Sequence, residues 1–375
     1  MDDTYTLFST DAPDGSLIIT VMFKSSMDRH SLRTCYRQIA STTTPKKMAI
    51  VLQRIWGDFA FRDEVLMQST AVFPNAVPPV FLKGASVYGS NTAGIQIRAV
   101  PAECAQGIDT NGHRAGMRWQ VGDDHFALLT GLWGDGESPE AQTRSLLRRA
   151  KLLIENAGFR TGDIIRTWFY LDHILDWYDE FNAVRTAMYT DWGLVPTAGD
   201  DRLKLPASTG IGVCNGFGKA VSADVYLAKQ KSSVTTQLSN TGQKEAYQYG
   251  SAFSRGALLS FESGTLLELS GTAAIDEAGE TVFREDAAAQ IECTLNKVKS
   301  LLIPNNLRLH HLAGGVAFFK DAKMANALDA ALVKLGIDPA SLPVIRVVAD
   351  VCRDDLLFEL DGELVTKAVA KPVGS

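Results

Sequence analysis

Phe126-Ala-Leu-Leu-Thr-Gly131 has the composition of a β-strand, and Ser138-Pro139 after it supplies a helix N-cap followed by proline at the first helical position. Apolar residues then recur with a period of about 3.6 over residues 146–157. Arg166-Thr-Trp-Phe-Tyr-Leu171 is predicted as a second strand, and residues 172–192 as a second amphipathic helix. This order of elements decides the fold class, because it indicates one α+β module.

The second half of the chain repeats this order. Leu266-Leu-Glu-Leu-Ser-Gly271 matches the first strand, and the helical pattern from Asp286 to Leu302 matches the first helix. Gly315-Val-Ala-Phe-Phe-Lys-Asp321 matches the second strand, and residues 323–336 match the second helix. The repeat predicts an α+β fold of two modules, each a mixed β-sheet with two helices packed on one face.

We place the boundary between the two modules at residue 235, inside the polar stretch 229–244, because its Ser, Thr, Gln and Asn content is typical of a linker. Residues 1–235 then hold the N-terminal module and, over about the first 125 residues, a strand-rich extension. One helix is predicted within that extension, at about Pro45–Ile55. Residues 236–375 form the C-terminal module.

Composition excludes several partners. The chain of 375 residues carries 43 acidic and 37 basic residues, and no cluster of Lys or Arg, so nucleic acid is not an expected partner. No run approaches the roughly 20 apolar residues that span a bilayer, so no membrane association is expected. An acidic start, Met1-Asp2-Asp3, and five cysteines without close pairing favour a cytoplasmic location.

Three motifs that could carry other chemistry are rejected. The six histidines lack metal-binding spacing, so no metal is expected. Gly210-Ile-Gly212 resembles a phosphate loop but is not followed by a helical pattern, and no other cofactor motif is present, so no cofactor is expected. Ala252-Phe-Ser254-Arg-Gly256 resembles a nucleophile elbow, but a strand rather than a helix follows it, which argues against a serine hydrolase.

The stretch from Arg346 to Val365 holds the most informative polar residues. It reads as two strands joined by the charged turn Arg353-Asp-Asp355. In the second strand Glu359 faces away from its apolar neighbours, and in the first Arg346 and Cys352 share one face. If these faces line a cleft, two neighbouring strands supply a carboxylate, a thiol and a guanidinium. The alternative is a solvated strand face.

Further arginines and tyrosines lie on predicted strands. Arg166 and Tyr170 share one face of a strand, and Arg255 precedes another. Arginines that point into a groove between modules would bind carboxylates in bidentate fashion. The alternative for each is a surface ion pair. We therefore expect the ligand to be a small carboxylated metabolite.

These residues resemble a known family. Leu269-Ser-Gly-Thr-Ala-Ala-Ile275, and Pro343 to Arg346 followed by Glu359, are similar to the Rid (YjgF-type) fold. More narrowly, three segments resemble the chorismatases, two-module relatives of that fold that remove pyruvate from chorismate: Tyr178-Asp-Glu-Phe-Asn-Ala-Val-Arg185, Leu205-Pro-Ala-Ser-Thr-Gly-Ile211, and Ala349-Asp-Val-Cys-Arg353 with Leu356-Leu-Phe-Glu359.

The resemblance implies a role for each candidate residue. Glu359 would donate a proton to the enolpyruvyl methylene, which requires a poorly solvated site that raises its pKa. Cys352 would pack against the substrate ring, as in the branch that forms 3-hydroxybenzoate; alanine there resembles the branch that forms a dihydroxycyclohexadiene carboxylate. The substrate would be bound by arginines and by neighbouring strand residues, namely Arg346, Arg255, Arg166, Tyr170, Gly271 and Thr272.

Two other hypotheses stay open on the sequence. One is a Rid-type imine or enamine hydrolase in which Arg346 grips a carboxylate and Glu359 orients water. The other is a protein that binds a small carboxylated metabolite without turning it over. Rid modules commonly associate as trimers, so the resemblance also implies a homo-oligomer, with a trimer favoured.

Overall fold

Residues 4–101 form a complete module of their own. The computed structural model describes residues 4–110, 112–196, 204–239 and 252–368. The first of its three sheets has the strand order β1-β2-β6-β3-β4. Its elements are β1 (Tyr5–Asp11), β2 (Leu17–Phe23), α1 (Arg29–Thr43), β3 (Met48–Gly57), α2 (Arg62–Val72), β4 (Val80–Leu82) and β6 (Thr92–Pro101). A short strand, β5 (Ala85–Ser86), leaves this sheet and pairs with the third one.

The helix predicted over Pro45–Ile55 is wrong. This segment is a turn followed by β3, and the helices lie on either side of it. Strand β3 is buried on both faces from Ile50 onward, so its apolar residues do not alternate with polar ones. A short continuous apolar run of this kind cannot be assigned to helix or strand by periodicity.

Both predicted modules are confirmed. The second sheet has the order β11-β10-β12-β9-β8-β7, and the third has the order β13-β14-β15-β18-β16-β17-β5. The second module contains β7 (Gln106–Thr110), β8 (His113–Val121), β9 (Asp124–Trp133), α3 (Pro139–Asn156), β10 (Ile164–Leu171), α4 (Ile174–Asp191), β11 (Ala207–Gly212) and β12 (Val221–Lys229). The third contains β13 (Val234–Leu238), β14 (Gly256–Phe261), β15 (Gly264–Ala273), α5 (Ala287–Leu302), β16 (Leu312–Phe319), α6 (Ala325–Lys334), β17 (Val344–Val348) and β18 (Phe358–Lys367).

The start of the third module lies where the sequence predicts a linker. Strand β13 spans the boundary proposed at residue 235 and pairs with β14. Residues 240–244 of the predicted linker lie outside the described residues. The helix caps agree with the sequence, because Ser138 accepts the backbone N–H of Ala141 and Asp286 accepts that of Ala289. No helix among the described residues is both long and apolar enough to cross a membrane.

The three modules share one topology. Each contains a hairpin, a helix, a strand, a second helix and two further strands, and the core strand orders β1-β2-β6-β3-β4, β8-β9-β12-β10-β11 and β14-β15-β18-β16-β17 correspond one to one. Sequence periodicity therefore detected two of three repeats. The N-terminal residues are not an extension but a third repeat of the same unit.

The sheets face one another and the helices lie outside. One apolar cluster contains only strand and loop residues from all three modules, among them Trp56, Trp168 and Phe318. Three other clusters each join the outer face of one sheet to its own helices. Central strands such as β2, β10 and β16 are buried along their whole length, as expected for strands covered on both faces.

The strands that hold Arg346 and Glu359 are not neighbours. Strand β16 lies between β17 and β18, parallel to the first and antiparallel to the second. In addition, β17 ends at Val348, so Cys352 lies in the loop before β18 rather than on a strand. The predicted pairing of these two strands is therefore wrong. The alternation within β18 is confirmed, since Phe358 and Leu360 pack on the helix side and Glu359 faces inward.

A buried arginine joins each pair of modules. Arg54 of the first module contacts Asp224 of the second at 2.7 Å, and Arg166 of the second contacts Asp361 of the third at 3.1 Å. Arg98 of the first contacts Glu268 of the third at 2.7 Å. Removing one partner of such a pair leaves an uncompensated charge in a dry interior, so each pair constrains how the modules meet.

We expect Arg98→Met to lower the free energy of unfolding by about 3–5 kcal/mol, because it strands the buried Glu268 and Glu363 carboxyl groups. Urea unfolding measures the change. The matched control is Lys46→Met, which breaks an exposed pair with Asp11 and should change stability by about 0–1 kcal/mol. Equal losses in the two variants would contradict the role given to the junction.

Candidate active site

A cleft at the junction of the second and third modules collects the candidate residues. Strand β11 of the second module lies against β15 of the third and forms one wall. Part of the lining comes from the second module: Tyr178, Arg185, Ser208 and Gly210. The rest comes from the third: Phe253, Arg255, Gly271, Ala273, Ile275, Cys352, Arg353 and Glu359.

Glu359 lies at the base of this cleft. It is the second residue of β18, and only 5% of its surface is exposed. A register shift in β15 between Leu269 and Thr272 brings Gly271 directly against the carboxyl group. A Cβ atom added at Gly271 would lie 1.9 Å from Glu359 Oε1, so any side chain there would displace the carboxyl group.

Burial raises the pKa of Glu359 to about 8. Loss of hydration is the main cause, since a carboxylate is poorly stabilised in a dry site. The nearby Asp361 carboxyl also raises the pKa, while Arg166 and Arg255 oppose the change. Glu359 is therefore a protonated carboxylic acid at neutral pH, as a general acid must be.

Two arginines flank the ring of Phe253 in the cleft. The guanidinium carbon of Arg185 lies 5.7 Å from the ring centre, and that of Arg255 lies 5.3 Å from it. Arg185 is 1% exposed, and its Nη2 donates to Asn182 at 2.7 Å while its Nε has no partner among the described residues. Fixed guanidinium groups of this kind suit a ligand with carboxylates.

Cys352 lies near Glu359 in the cleft and is a neutral thiol. Burial, and then the Glu359 carboxyl, raise its pKa to about 12. Its side chain is hydrogen-bonded to Tyr178, whose own pKa is raised by burial. A thiol with a raised pKa is a poor nucleophile at neutral pH. The structure therefore gives Cys352 a packing position in the wall of the cleft.

The structure places several predicted ligand-binding residues outside the cleft. Arg346 donates through Nη1 to Asp329 at 3.0 Å on the helix side of its sheet, so it does not contact the site. Tyr170 donates to Asp224, and the Thr272 hydroxyl donates to the carbonyl of Ser270. Arg166 donates to Asp361, and neither residue lines the cleft. Of the residues predicted from sequence, the cleft brings together Glu359, Cys352, Arg255 and Gly271.

Arg185 and Tyr178 were not predicted as site residues. They lie on α4 with Phe181 and Asn182 between them, on the helix face that contacts the sheet. An arginine at helical spacing within an otherwise apolar face was the available signal, because a charged side chain rarely occupies such a position without a partner.

We expect Glu359→Gln to stabilise the protein above about pH 8. The pKa of Glu359 is higher in the folded chain than in the unfolded chain, so the folded state loses stability as pH rises from about 4.5 to about 8. Glutamine does not titrate, and the advantage of the variant should grow by about 1.4 kcal/mol per pH unit across this interval.

Thermal unfolding of both proteins at pH 5 and pH 9 measures this difference. Glu268, whose pKa is raised to about 7, is present in both and cancels in the comparison. The control is Glu292→Gln on the exposed face of α5, for which no such pH dependence is expected. If the stability difference between Glu359→Gln and the wild type is the same at pH 5 and pH 9, the pKa of Glu359 is not raised in the folded protein.

Comparisons with known proteins agree with this architecture. No protein-family model matches the chain. The 3-hydroxybenzoate synthase of Streptomyces hygroscopicus is 25% identical over 275 residues, which is 67% of this chain and 77% of that protein. The crystal structure of a chorismatase superposes with a TM-score of 0.62 at 18% identity, covering 84% of this chain and 92% of that one.

A YjgF-family protein from Neisseria meningitidis covers 34% of this chain and 96% of its own, at 17% identity and a TM-score of 0.27. Sequence similarity over two thirds of the chain and a common fold over most of it make this chain similar to the chorismatases.

Proposed function

We propose that this protein releases pyruvate from chorismate, or from a close enol-ether analogue, by general acid catalysis. The observation that carries the proposal is a protonated, buried Glu359 at the base of a cleft that also holds Arg185 and Arg255. An acid kept neutral by burial supplies the proton, and the arginines fit a dicarboxylate substrate.

In the first step Glu359 transfers its proton to the terminal methylene carbon of the enolpyruvyl group. The π electrons of the enol ether form the new C–H bond, and an oxocarbenium ion results. The Glu359 carboxylate formed in this step lies close to that cation. Arg166 and Arg255 also act on its charge, so part of the cost of ionising a buried acid is offset.

Pyruvate can then leave by two routes, one of which consumes a water molecule and one of which does not. Capture of the cation by water, followed by collapse of the hemiketal, gives pyruvate and a dihydroxycyclohexadiene carboxylate. Capture by the neighbouring ring hydroxyl, which gives its proton to the Glu359 carboxylate, forms a cyclic ketal without water. The ring carbon–oxygen bond of that hydroxyl then breaks as the adjacent ring carbon loses its proton, which makes the ring aromatic. Collapse of the resulting hemiketal releases pyruvate, and the phenol oxygen of 3-hydroxybenzoate takes up the proton. We propose the second route, because Cys352 occupies the position that resembles the hydroxybenzoate branch, and the curated relative is named for that product.

The two arginines are proposed to bind the two substrate carboxylates. Arg185 comes from the second module and Arg255 from the third, so a dicarboxylate would bridge the junction. Both guanidinium groups contact the ring of Phe253, at 5.7 Å and 5.3 Å from its centre. Each would then meet a separate carboxylate.

The alternative of a Rid-type imine or enamine hydrolase has no support from the site. That hypothesis assigns Arg346 to the ligand carboxylate, whereas Arg346 is paired with Asp329 on the far side of its sheet. Binding of a carboxylated metabolite without turnover remains as an outcome of the assay.

Incubation of the protein with chorismate should release pyruvate. Pyruvate release is measured by a coupled assay in which a second enzyme reduces pyruvate to lactate. Glu359→Gln keeps the shape of the side chain but cannot donate the proton, so the rate should fall by about 10²–10⁴-fold. The matched control, Glu292→Gln, changes an exposed glutamate outside the cleft and should keep the wild-type rate. Chromatography of the same reactions identifies the aromatic product.

Absence of pyruvate from the wild-type reaction would overturn the proposed function. If chorismate binds without turnover, the protein belongs to the metabolite-binding alternative. If Glu359→Gln releases pyruvate at the wild-type rate, the protein catalyses the reaction but Glu359 is not its general acid.

Arg185→Lys should raise KM for chorismate by about 10- to 100-fold, because lysine cannot reproduce a two-point contact with a carboxylate. Steady-state kinetics over a range of chorismate concentrations measures the change. Arg346→Lys is the control, since Arg346 lies outside the cleft and its replacement should leave KM unchanged. A raised KM in Arg346→Lys with an unchanged KM in Arg185→Lys would instead show that Arg346, and not Arg185, binds the substrate.

A further inference from the structure

A second buried carboxyl group lies directly behind Glu359. Asp361 is two residues further along β18, on the same inward face, and is 4% exposed. Strand geometry therefore holds the two carboxyl groups side by side. The mechanism above does not use Asp361, and Asp361 does not line the cleft.

Asp361 belongs to a closed set of hydrogen bonds across the junction. Its Oδ2 accepts from Thr209 Oγ1 at 2.8 Å and from Arg166 Nη2 at 3.1 Å. Arg166 Nη2 also donates to Thr209 Oγ1 at 2.7 Å. The same threonine oxygen accepts the backbone N–H of Gly271 at 3.0 Å.

This set connects the module junction to the catalytic acid. Arg166 and Thr209 belong to the second module, whereas Asp361 and Gly271 belong to the third. Gly271 in turn forms the surface against which the Glu359 carboxyl lies. A change at Asp361 can therefore reach Glu359 by two routes, one through charge and one through the placement of Gly271.

We propose that Asp361 is a positioning residue for Glu359: with Arg166 and Thr209 it fixes Gly271 against the acid, and its charge adds to the effect of burial in keeping the acid protonated. This inference rests on the proposed function and extends it, because it helps to explain how Glu359 is held neutral beside Arg166 and Arg255. An aspartate that only joined the modules would not affect the protonation of its neighbour.

Charged groups on three segments act on Glu359. On its own strand only Asp361 acts on it, and it favours the protonated form. Arg166 on β10 and Arg255 before β14 favour the ionised form. The remaining titratable groups that line the cleft are Arg185 and Tyr178 on α4 and Cys352 and Arg353 in the loop before β18. Asp361 is thus the described carboxyl group that opposes the arginines.

The test is the titration of Glu359 in Asp361→Asn. Asparagine can still accept hydrogen bonds, but it lacks the charge and leaves Arg166 without a counter-ion, so the Glu359 carboxylate becomes more stable. The titration midpoint should fall by at least about one pH unit, which is a tenfold change in protonation. Carbon-13 NMR of glutamate-labelled protein without substrate reads this midpoint, with Glu359→Gln identifying the signal.

Asp329→Asn is the matched control. It removes an aspartate from another arginine pair, outside the cleft, and should leave the midpoint unchanged. A folded Asp361→Asn protein with the wild-type midpoint would overturn the proposal. The titration needs no substrate, so it decides the question even if chorismate is not turned over.

Thr209→Val tests the route through the placement of Gly271. It also tests the proposal if Asp361→Asn does not fold. It removes the hydroxyl group that holds Gly271 but keeps both charges. We expect kcat to fall about tenfold with KM unchanged, and Thr209→Ser to restore it. Unchanged kcat in Thr209→Val would show that the hydrogen-bonded set does not position the acid.

Discussion

The structure depends on arginines buried between modules. Each of the three junctions contains an arginine that is 1% exposed and meets a carboxylate of another module. An isolated charge in such an interior would cost several kcal/mol, so the arrangement is stable only when the modules meet correctly. The buried arginines are therefore neutralised only when the modules pack against one another. The apolar faces of the three sheets supply the driving force, and the ion pairs determine the geometry.

The three junctions are related but not equivalent. At the junction of the first and second modules, Gly131 corresponds to Gly271, and Asp224 accepts its backbone N–H directly. There Phe217 and Val80 fill the space beside Gly131. The register places Ser222 opposite Trp133, as Glu359 lies opposite Ala273. The aspartate is common to both junctions, whereas the acid and the cleft occur at one.

Sequence reasoning succeeded where a pattern is local. The caps at Ser138 and Asp286 and the period of their helices predicted two modules correctly, and strand alternation placed Glu359 on the inner face. The first module was missed because β3 is buried on both faces and α2 buries few apolar residues. Arg346 was assigned wrongly because its partner, Asp329, lies on a helix that sequence spacing cannot align with it.

The fusion of three modules in one chain has an evolutionary consequence. In a trimer of identical subunits, any substitution at an interface appears three times, so a destabilising but useful change is multiplied as well. Here each junction can vary alone. A glutamic acid that is costly to bury is introduced once, at Glu359, while Ser222 occupies the related position. The other two junctions are then free to maintain stability, and the chain carries the cost of a buried glutamic acid at one interface.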